Sequence, residues 1–432
     1  MRKLMISLLI VAAALGFAAS SARAASAILD LADLLDRADA SNPEILAAQA
    51  RVEALKHVPS QLEAYPDPTA SVSYTNETLT ALTLGSRDMS NLAFSWTQEV
   101  PFPGKLRLAG DVARAEVDVS SGTLEATRLR LRAAVKVAYA DLYRIDRTTS
   151  ILEESRKLLA TFREAARVRQ ETGQGILENV LKAQTELTRV DVELAGLAQE
   201  RRSAAAALNA LLGSPDNAPL GVAVAAPGGD SPDPASAEKA ALDRSPELAA
   251  LRAATRRDEN RVSLAKRNTK PDFMWGAGYV DRGSLDPMVM GMFGIRLPLY
   301  KNRKQKEAIV QSEYDLKATE RDLDHRNVTL LAEVRDLLAR ADRASEQTRL
   351  IREGTLPLAR SSLDAAAAAY SAGRAEFVTL IEDFRAFLGY ESDLEMLHAD
   401  KIRALAALEP LTGAEYVLPG DPAAGAPGDA HE

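Results

Sequence analysis

The chain contains one pattern of features twice, with corresponding features about 200 residues apart. Asn42-Pro43 and Ser245-Pro246 each open a helical stretch. Three further features recur in the same order. A Pro-Asp pair precedes a strand-like run at Pro66-Asp67 and Pro271-Asp272, and an apolar-Pro pair follows one at Val100-Pro101 and Leu297-Pro298. A glycine interrupts a long helix at Gly173 and Gly373. The pattern therefore predicts, for each copy, a helix, two strands, a very long helix, a turn and a further helix.

Apolar residues recur at every seventh position in the long helical stretch of each copy. They are Leu124, Leu131, Ala138, Ile145, Leu152, Leu159 and Ala166 in the first copy, and Ile309, Leu316, Leu323, Leu330, Leu337, Ala344, Ile351, Leu358 and Ala365 in the second. A sustained seven-residue repeat predicts coiled-coil packing, and a helix of about 70 residues would be roughly 100 Å long. Pro357 is expected to kink the second helix or to mark a helix start. A soluble stalk or filament is the alternative interpretation.

Strand-like runs are expected at about 66–76 and 91–101 in the first copy and at about 271–281 and 288–299 in the second. Phe273, Trp275 and Tyr279 would share one face of the third run. Strands of about ten residues that are apolar on one face and small or polar on the other are typical of transmembrane barrels. A half-buried soluble sheet would give a similar pattern.

The number of strands constrains the membrane interpretation. Four strands cannot close a barrel around a lumen, because single-chain barrels start at about eight strands. Lipid does not tolerate open sheet edges. Three chains would together supply twelve strands and twelve helical segments, which could form a barrel and a tube that continues it. A membrane role therefore requires an oligomer.

The N-terminus has the features of an export signal. Arg2 and Lys3 precede the apolar stretch from Leu4 to Phe17, and Ala22-Arg23-Ala24 fits a cleavage site. We therefore predict a secretory signal peptide at residues 1–24, with an uncleaved membrane anchor as the alternative.

The composition excludes several classes of function. The chain has no cysteine, four histidines and a net charge of −8. Thiolate nucleophiles, disulfides and zinc–thiolate sites are therefore excluded, and the acidic balance disfavours nucleic-acid binding. No GxxxxGK[ST] loop and no constellation of acid, base and nucleophile is present, which predicts a protein that is not an enzyme and carries no cofactor.

The sequence resembles the TolC-like outer-membrane efflux protein family from about Leu31 to Gly413. The resemblance depends on the repeat, on the run Gln98-Glu99-Val100-Pro101-Phe102-Pro103-Gly104-Lys105 and on Tyr370-Ser371-Ala372-Gly373. It implies a homotrimer in the outer membrane of a Gram-negative cell, with a twelve-stranded β-barrel and a long α-helical barrel in the periplasm. The implied partners are a periplasmic adaptor protein and an inner-membrane pump. The Pro-Phe-Pro-Gly-Lys stretch is most similar to members that serve heavy-metal and related resistance-nodulation-division pumps, many of which carry a lipidated cysteine that this chain lacks.

The resemblance also implies roles for residues at the helix turns. Gly173 and Gly373 would mark the periplasmic tips that dock the adaptor. The family's acidic rings near the second turn match Thr379 and Glu382, so one acid is replaced, and Asp383 lies close by. A ring of Glu382 side chains would favour cations at the mouth; a solvated helix position is the alternative.

A closing network at the tip is implied as well, with some of its residues changed. Its tyrosine is kept as Tyr370, whereas the aspartate position is Asn179. The arginine position is Ala375, with Arg374 adjacent. The network would therefore be built differently here.

Three methionines in the last strand are candidate ligands for soft metal ions. Met288, Met290 and Met292 alternate along the strand and share a face with Arg296. Thioethers bind monovalent copper or silver, but methionine more often fills gaps in ordinary packing, which is the interpretation we favour.

The predicted fold class is mainly α-helical with a membrane β portion. It combines a long coiled-coil α-barrel, a trimeric twelve-stranded β-barrel with four strands per chain, and two internal repeats. The expected organisation is a signal peptide (1–24), a first repeat (25–213), a linker (214–235), a second repeat (236–413) and a flexible tail (414–432). The predicted function is a passive exit duct for heavy-metal cations or small toxic compounds, driven by the pump through the adaptor. The alternative is a periplasmic coiled-coil scaffold or adaptor without a pore.

Overall fold

The computed structural model describes residues 28–224 and 226–420. The predicted signal peptide and residues 421–432 of the predicted tail lie outside the described residues. The elements are α1 (Leu31–Ser41), α2 (Pro43–Lys56), α3 (Val58–Glu63), β1 (Thr69–Thr75), β2 (Asn91–Val100), α4 (Lys105–Glu171), α5 (Leu177–Leu211), α6 (Pro234–Arg244), α7 (Pro246–Arg267), β3 (Asp272–Arg282), β4 (Leu285–Arg296), α8 (Gln305–Leu350), a π-helical turn (Ile351–Thr355), α9 (Leu356–Ser371) and α10 (Phe377–Thr412).

Residue contacts divide the chain into two compact units, each of which draws on both sequence copies. Of the described residues, the first unit comprises 28–46, 125–224, 226–246 and 329–420, and the second comprises 47–124 and 247–328. The first unit contains both helix turns, and the second contains all four strands.

The seven-residue repeat of the first copy forms part of the helical core. Leu152, Leu159 and Ala166 of α4 are buried, with exposed fractions of 4%, 0% and 0%. They pack in one cluster with apolar residues of α5, α9 and α10, among them Val190, Leu363 and Phe384. The expected coiled-coil contacts are therefore present between these helices.

In the second copy the repeat loses its phase at the π-helical turn. Leu330 and Ala344 of α8 are buried, but Leu358, which continues the seven-residue spacing, is 72% exposed. Pro357 cannot donate a backbone hydrogen bond, and the wider turn before it accommodates this, with the N–H of Leu356 bonded to the carbonyl of Ile351. A π turn inserts one residue, so the buried face continues at Leu363 instead.

The second unit contains one antiparallel sheet in the order β1-β2-β3-β4. Val72 lies opposite Phe94, Phe94 opposite Tyr279, and Tyr279 opposite Val289, so these side chains share one face. That face is apolar and open, with Val289 86% exposed and Val72 65% exposed. In the chain as described, β1 and β4 are the two edges of the sheet.

Two strand boundaries differ from those expected from the sequence. β1 begins at Thr69 and not near 66, because Pro66 and Pro68 cannot donate to the ladder. β4 spans Leu285–Arg296, not about 288–299, because only two residues separate it from β3 and Pro298 follows its end. Within the described residues, no helix combines the length and the apolar character needed to cross a membrane.

Candidate functional site: the paired helix turns

The two turns that interrupt the long helices have the same backbone conformation. Residues 172–176 connect α4 to α5, and residues 372–376 connect α9 to α10. Gly173 and Gly373 both adopt a φ of 74°, in the left-handed region that glycine occupies without a steric penalty. The N–H of Gln174 donates to the carbonyl of Arg169 at 2.9 Å, and the N–H of Arg374 donates to that of Ala369 at 2.8 Å. Both helices therefore end in the same glycine-dependent cap.

Arg169 connects the two turns, a role that was not predicted from the sequence. Its Nη1 donates to the backbone carbonyl of Tyr370 at 2.8 Å, and its Nη2 donates to the carbonyl of Gln174 at 3.2 Å. Its guanidinium carbon lies 5.2 Å from the centre of the Tyr370 ring. The corresponding residue of the second copy is Ala369, and this asymmetry between the copies is the signal that could have identified Arg169.

Tyr370 is buried beside the second turn, with an exposed fraction of 3%. Its ring packs edge-on against Phe377, with the ring centres 5.2 Å apart. Burial raises the pKa of the Tyr370 phenol, while the Arg169 cation and the Asn179 amide act in the opposite direction. The buried hydroxyl oxygen makes no hydrogen bond of normal geometry with the described residues. Because the Asn179 amide acts on the Tyr370 phenol, the structure brings these two predicted residues close together.

The candidate acids near the second turn differ in their surroundings. Asp383 accepts a hydrogen bond from the Ser362 hydroxyl of α9 at 3.1 Å, so its carboxylate already has a partner in the same chain. Glu382 and Thr379 are exposed on the first turns of α10, and Arg374 is exposed in the turn itself. In the described part of the chain, Glu382 forms no direct ion pair, but its exposed carboxylate adds to the effect of Glu186 in raising the pKa of Arg385.

Glu186 provides a buried charge that links α5 to α10. Its exposed fraction is 3%, and it accepts hydrogen bonds from Nε of Arg385 at 3.1 Å and from Nε of Arg189 at 2.9 Å. The hydrogen bond from Arg385 holds the pKa of the Glu186 carboxyl below its usual value. This contact was not predictable from local pattern, because an acid three residues before an arginine is common on exposed helices.

The three methionines of β4 lie on the face opposite Phe293 and Ile295. The Met290 methyl lies 3.2 Å from where a Cβ would stand on Gly278, and the Met292 methyl lies 3.4 Å from the same position on Gly276. The methionine ends therefore cover glycines of β3, as expected for strand packing. Among the described residues, no cluster of three or more histidines or acids could hold a metal ion.

A family model described as outer membrane efflux protein matches residues 34–214 and 238–414. The chain belongs to the outer membrane efflux protein family. No curated protein gave a significant match.

Solved structures of outer-membrane channels share the fold. VceC from Vibrio cholerae is 18% identical, with 89% of this chain and 96% of that chain covered and a TM-score of 0.74. CusC is 16% identical, with 91% and 94% covered and a TM-score of 0.75. The open state of the Neisseria gonorrhoeae MtrE channel is 16% identical, with 89% of each chain covered and a TM-score of 0.73.

These findings confirm three of the predictions made from the sequence. The family, the mainly α-helical fold with a small β portion and two repeats, and the outer-membrane location are those expected. Members of the family act as channels for efflux.

Proposed function

We propose that three copies of this chain form the exit duct of a tripartite efflux system. The observation that supports this most directly is the four-stranded sheet with two edges and an exposed apolar face. Lipid would cover that face, but a sheet edge in lipid needs a hydrogen-bonding partner. Three copies would pair their edges into a closed barrel of twelve strands, which leaves room for a lumen.

In this proposal the helix turns of the first unit would lie in the periplasm. Its turns at Gly173 and Gly373 would meet the adaptor protein, and through it an inner-membrane pump of the resistance-nodulation-division type would supply the energy. The chain itself would act passively, since transport needs only a continuous water-filled path.

The residues around the second turn would then control entry to the duct. Tyr370, Asn179 and Arg374 would contribute to the contacts that keep the tip closed, with Thr379 near the mouth. Glu382, repeated in three copies, would favour cations such as heavy metals over anions. Small toxic organic compounds are the other substrate class that we consider.

Reconstitution of the purified protein tests the proposal. The mass in detergent should correspond to three chains, and the protein should produce discrete conductance steps in planar lipid bilayers. A protein that stays monodisperse without detergent and gives no conductance would instead fit a periplasmic scaffold. Growth of a deletion strain on copper, silver, zinc, cobalt and antibiotics would then identify the substrate.

A further inference from the structure

The corner between β2 and α4 is fastened to the start of β3 by one carboxylate. Asp272 Oδ1 accepts the backbone N–H of Phe102 at 2.8 Å and the Lys105 ammonium at 2.7 Å. The Lys105 ammonium also donates to the carbonyl of Lys270 at 2.9 Å, and its side chain is only 11% exposed. The Phe102 ring stacks on Phe273, with ring centres 6.4 Å apart. Strand, corner and neighbouring strand thus form one interlocked junction within the chain.

The second copy contains the corresponding corner, but within the described residues no carboxylate pairs with its basic side chains. The corner after β4 exposes Leu299 and Tyr300, at 81% and 78%. Lys301, Arg303 and Lys304 follow this corner, and none of them forms an ion pair within the described residues.

The Gln98 amide binds the carbonyl of Pro66 before β1 at 2.7 Å, but the acid that follows Pro66 is unpaired in the described residues. Asp67 follows Pro66 as Asp272 follows Pro271, but Asp67 is exposed and has no ion pair in the described part of the chain. One carboxylate and one basic corner are therefore left over, one at each edge of the sheet.

We propose that the corner after β4 of one copy closes on the start of β1 of a second copy, with Asp67 in the role that Asp272 has within the chain. This inference depends on the proposed oligomer and specifies how its copies join. The N–H of Leu299 corresponds to that of Phe102; within the chain it donates to the carbonyl of Leu297 at 2.9 Å, and in the junction it would donate to Asp67 instead. Lys105 corresponds to Asn302, so the cation would come from the flanking Lys301 and Arg303.

The internal junction also fixes the register between copies. Aligning Val100-Pro101 with Leu297-Pro298 makes β4 the counterpart of β2, and aligning Pro271-Asp272 with Pro66-Asp67 makes β1 the counterpart of β3. Each residue pair between β2 and β3 within a chain therefore predicts a pair between β4 of one copy and β1 of the next. The pair Trp96–Ala277 then becomes Phe293–Val72, which continues the apolar face.

On the opposite face the pair Ser95–Gly278 becomes Met292–Ser73. In this register the apolar side chains of both strands stay on the same face of the sheet. A shift of one residue would move them to the opposite face.

Cysteine cross-linking tests this register, because the natural chain has no cysteine. Ser73→Cys combined with Met292→Cys should give covalently linked chains after mild oxidation, since directly opposite residues are about 4.5–5.5 Å apart and suit a disulfide. The matched control is Ser73→Cys with Met290→Cys, which shifts the second cysteine by two positions on the same face. That shift adds about 6–7 Å along the strand, so we expect at least about a tenfold lower yield.

The mass of each variant in detergent separates the possible outcomes. A three-chain complex with cross-links favouring the Met290 pair, or favouring neither pair, would overturn the junction and leave the proposed channel intact. A single-chain mass in detergent would overturn both.

Charge reversal tests the carboxylate. Asp67→Arg should lower the temperature at which the complex dissociates, whereas Asp216→Arg, an exposed acid in the linker, should not. Asp67→Arg combined with Lys301→Glu and Arg303→Glu should recover part of the loss. Equal effects of Asp67→Arg and Asp216→Arg, or no recovery, would remove Asp67 from the junction.

Discussion

The guanidinium of Arg169 binds the backbone carbonyl of Tyr370 at 2.8 Å, across 201 positions of sequence. This contact joins a helix end of the first copy to a helix end of the second. Because the same side chain also binds the carbonyl of Gln174, it holds both turns at once. We therefore regard Arg169 as the residue that sets the position of one tip relative to the other within a chain.

Replacement of Arg169 by alanine should loosen the second turn. Hydrogen bonds to a charged group contribute about 1.5–3 kcal/mol each, and partial exposure reduces this, so we expect a loss of about 1–2 kcal/mol in local stability. The backbone amides of Gly373 and Arg374 should exchange with deuterium roughly 5- to 30-fold faster. Arg163→Ala, which removes a side-chain contact to Gln184, serves as the control. Unchanged exchange at both amides would contradict the role of Arg169.

The two turn glycines should respond differently to alanine. A left-handed φ costs a residue with a Cβ about 1–2 kcal/mol, so both Gly173→Ala and Gly373→Ala should lower the thermal midpoint. A Cβ on Gly173 meets nothing within 4 Å, whereas one on Gly373 would stand 3.2 Å from Nη2 of Arg169. Gly373→Ala should therefore be the more damaging substitution, and valine at either site should also weaken adaptor pull-down. Equal midpoints for the two alanine variants would show that Arg169 moves aside freely.

Glu382 should determine ion preference if it lines the mouth. Glu382→Lys should reduce the ratio of cation to anion permeability in reconstituted bilayers by at least about twofold, because a ring of positive charge would replace a ring of negative charge. Glu44→Lys introduces the same charge at an exposed position of α2 and should leave the ratio unchanged. An identical ratio in the Glu382 variant would remove the ring hypothesis.

The buried carboxylate of Glu186 should make stability depend on pH. The Arg385 hydrogen bond lowers the pKa of Glu186 in the folded chain, so its contribution is complete above the unfolded value of about 4.5 and is lost as pH falls through the lower folded value. Glu186→Gln should therefore lower the thermal midpoint at neutral pH, by about 1–2 kcal/mol of stability after allowance for the exposed Arg385.

The difference between Glu186→Gln and the natural chain should shrink in acid, as the natural carboxyl becomes protonated. Glu193→Gln removes an exposed partner of Arg189, 3.2 Å away, and should have little effect at either pH. A difference for the Glu186 variant that is the same at neutral and acidic pH would rule out the charged contact as its origin.

Local pattern was enough to predict the main elements and part of the site. The spacing of Leu152 and Leu159 predicts a helix face that is buried, because side-chain direction follows directly from helical periodicity. Gly173 and Gly373 mark the turns, because few other residues adopt their backbone conformation. The same logic fails at Leu358, since one inserted residue in the π turn rotates the helix face, and periodicity alone does not show where an insertion falls.

The sequence by itself determined the twofold repeat, the four strands with their apolar face, and the glycine turns, because each depends on neighbours a few residues apart. Only the tertiary structure decided that Arg169 spans both turns, that Glu186 binds Arg385, and that Asp272 closes the corner after β2. These contacts join residues about 170 to 200 positions apart, and the direction of a side chain across such a distance depends on the packing of whole helices and strands.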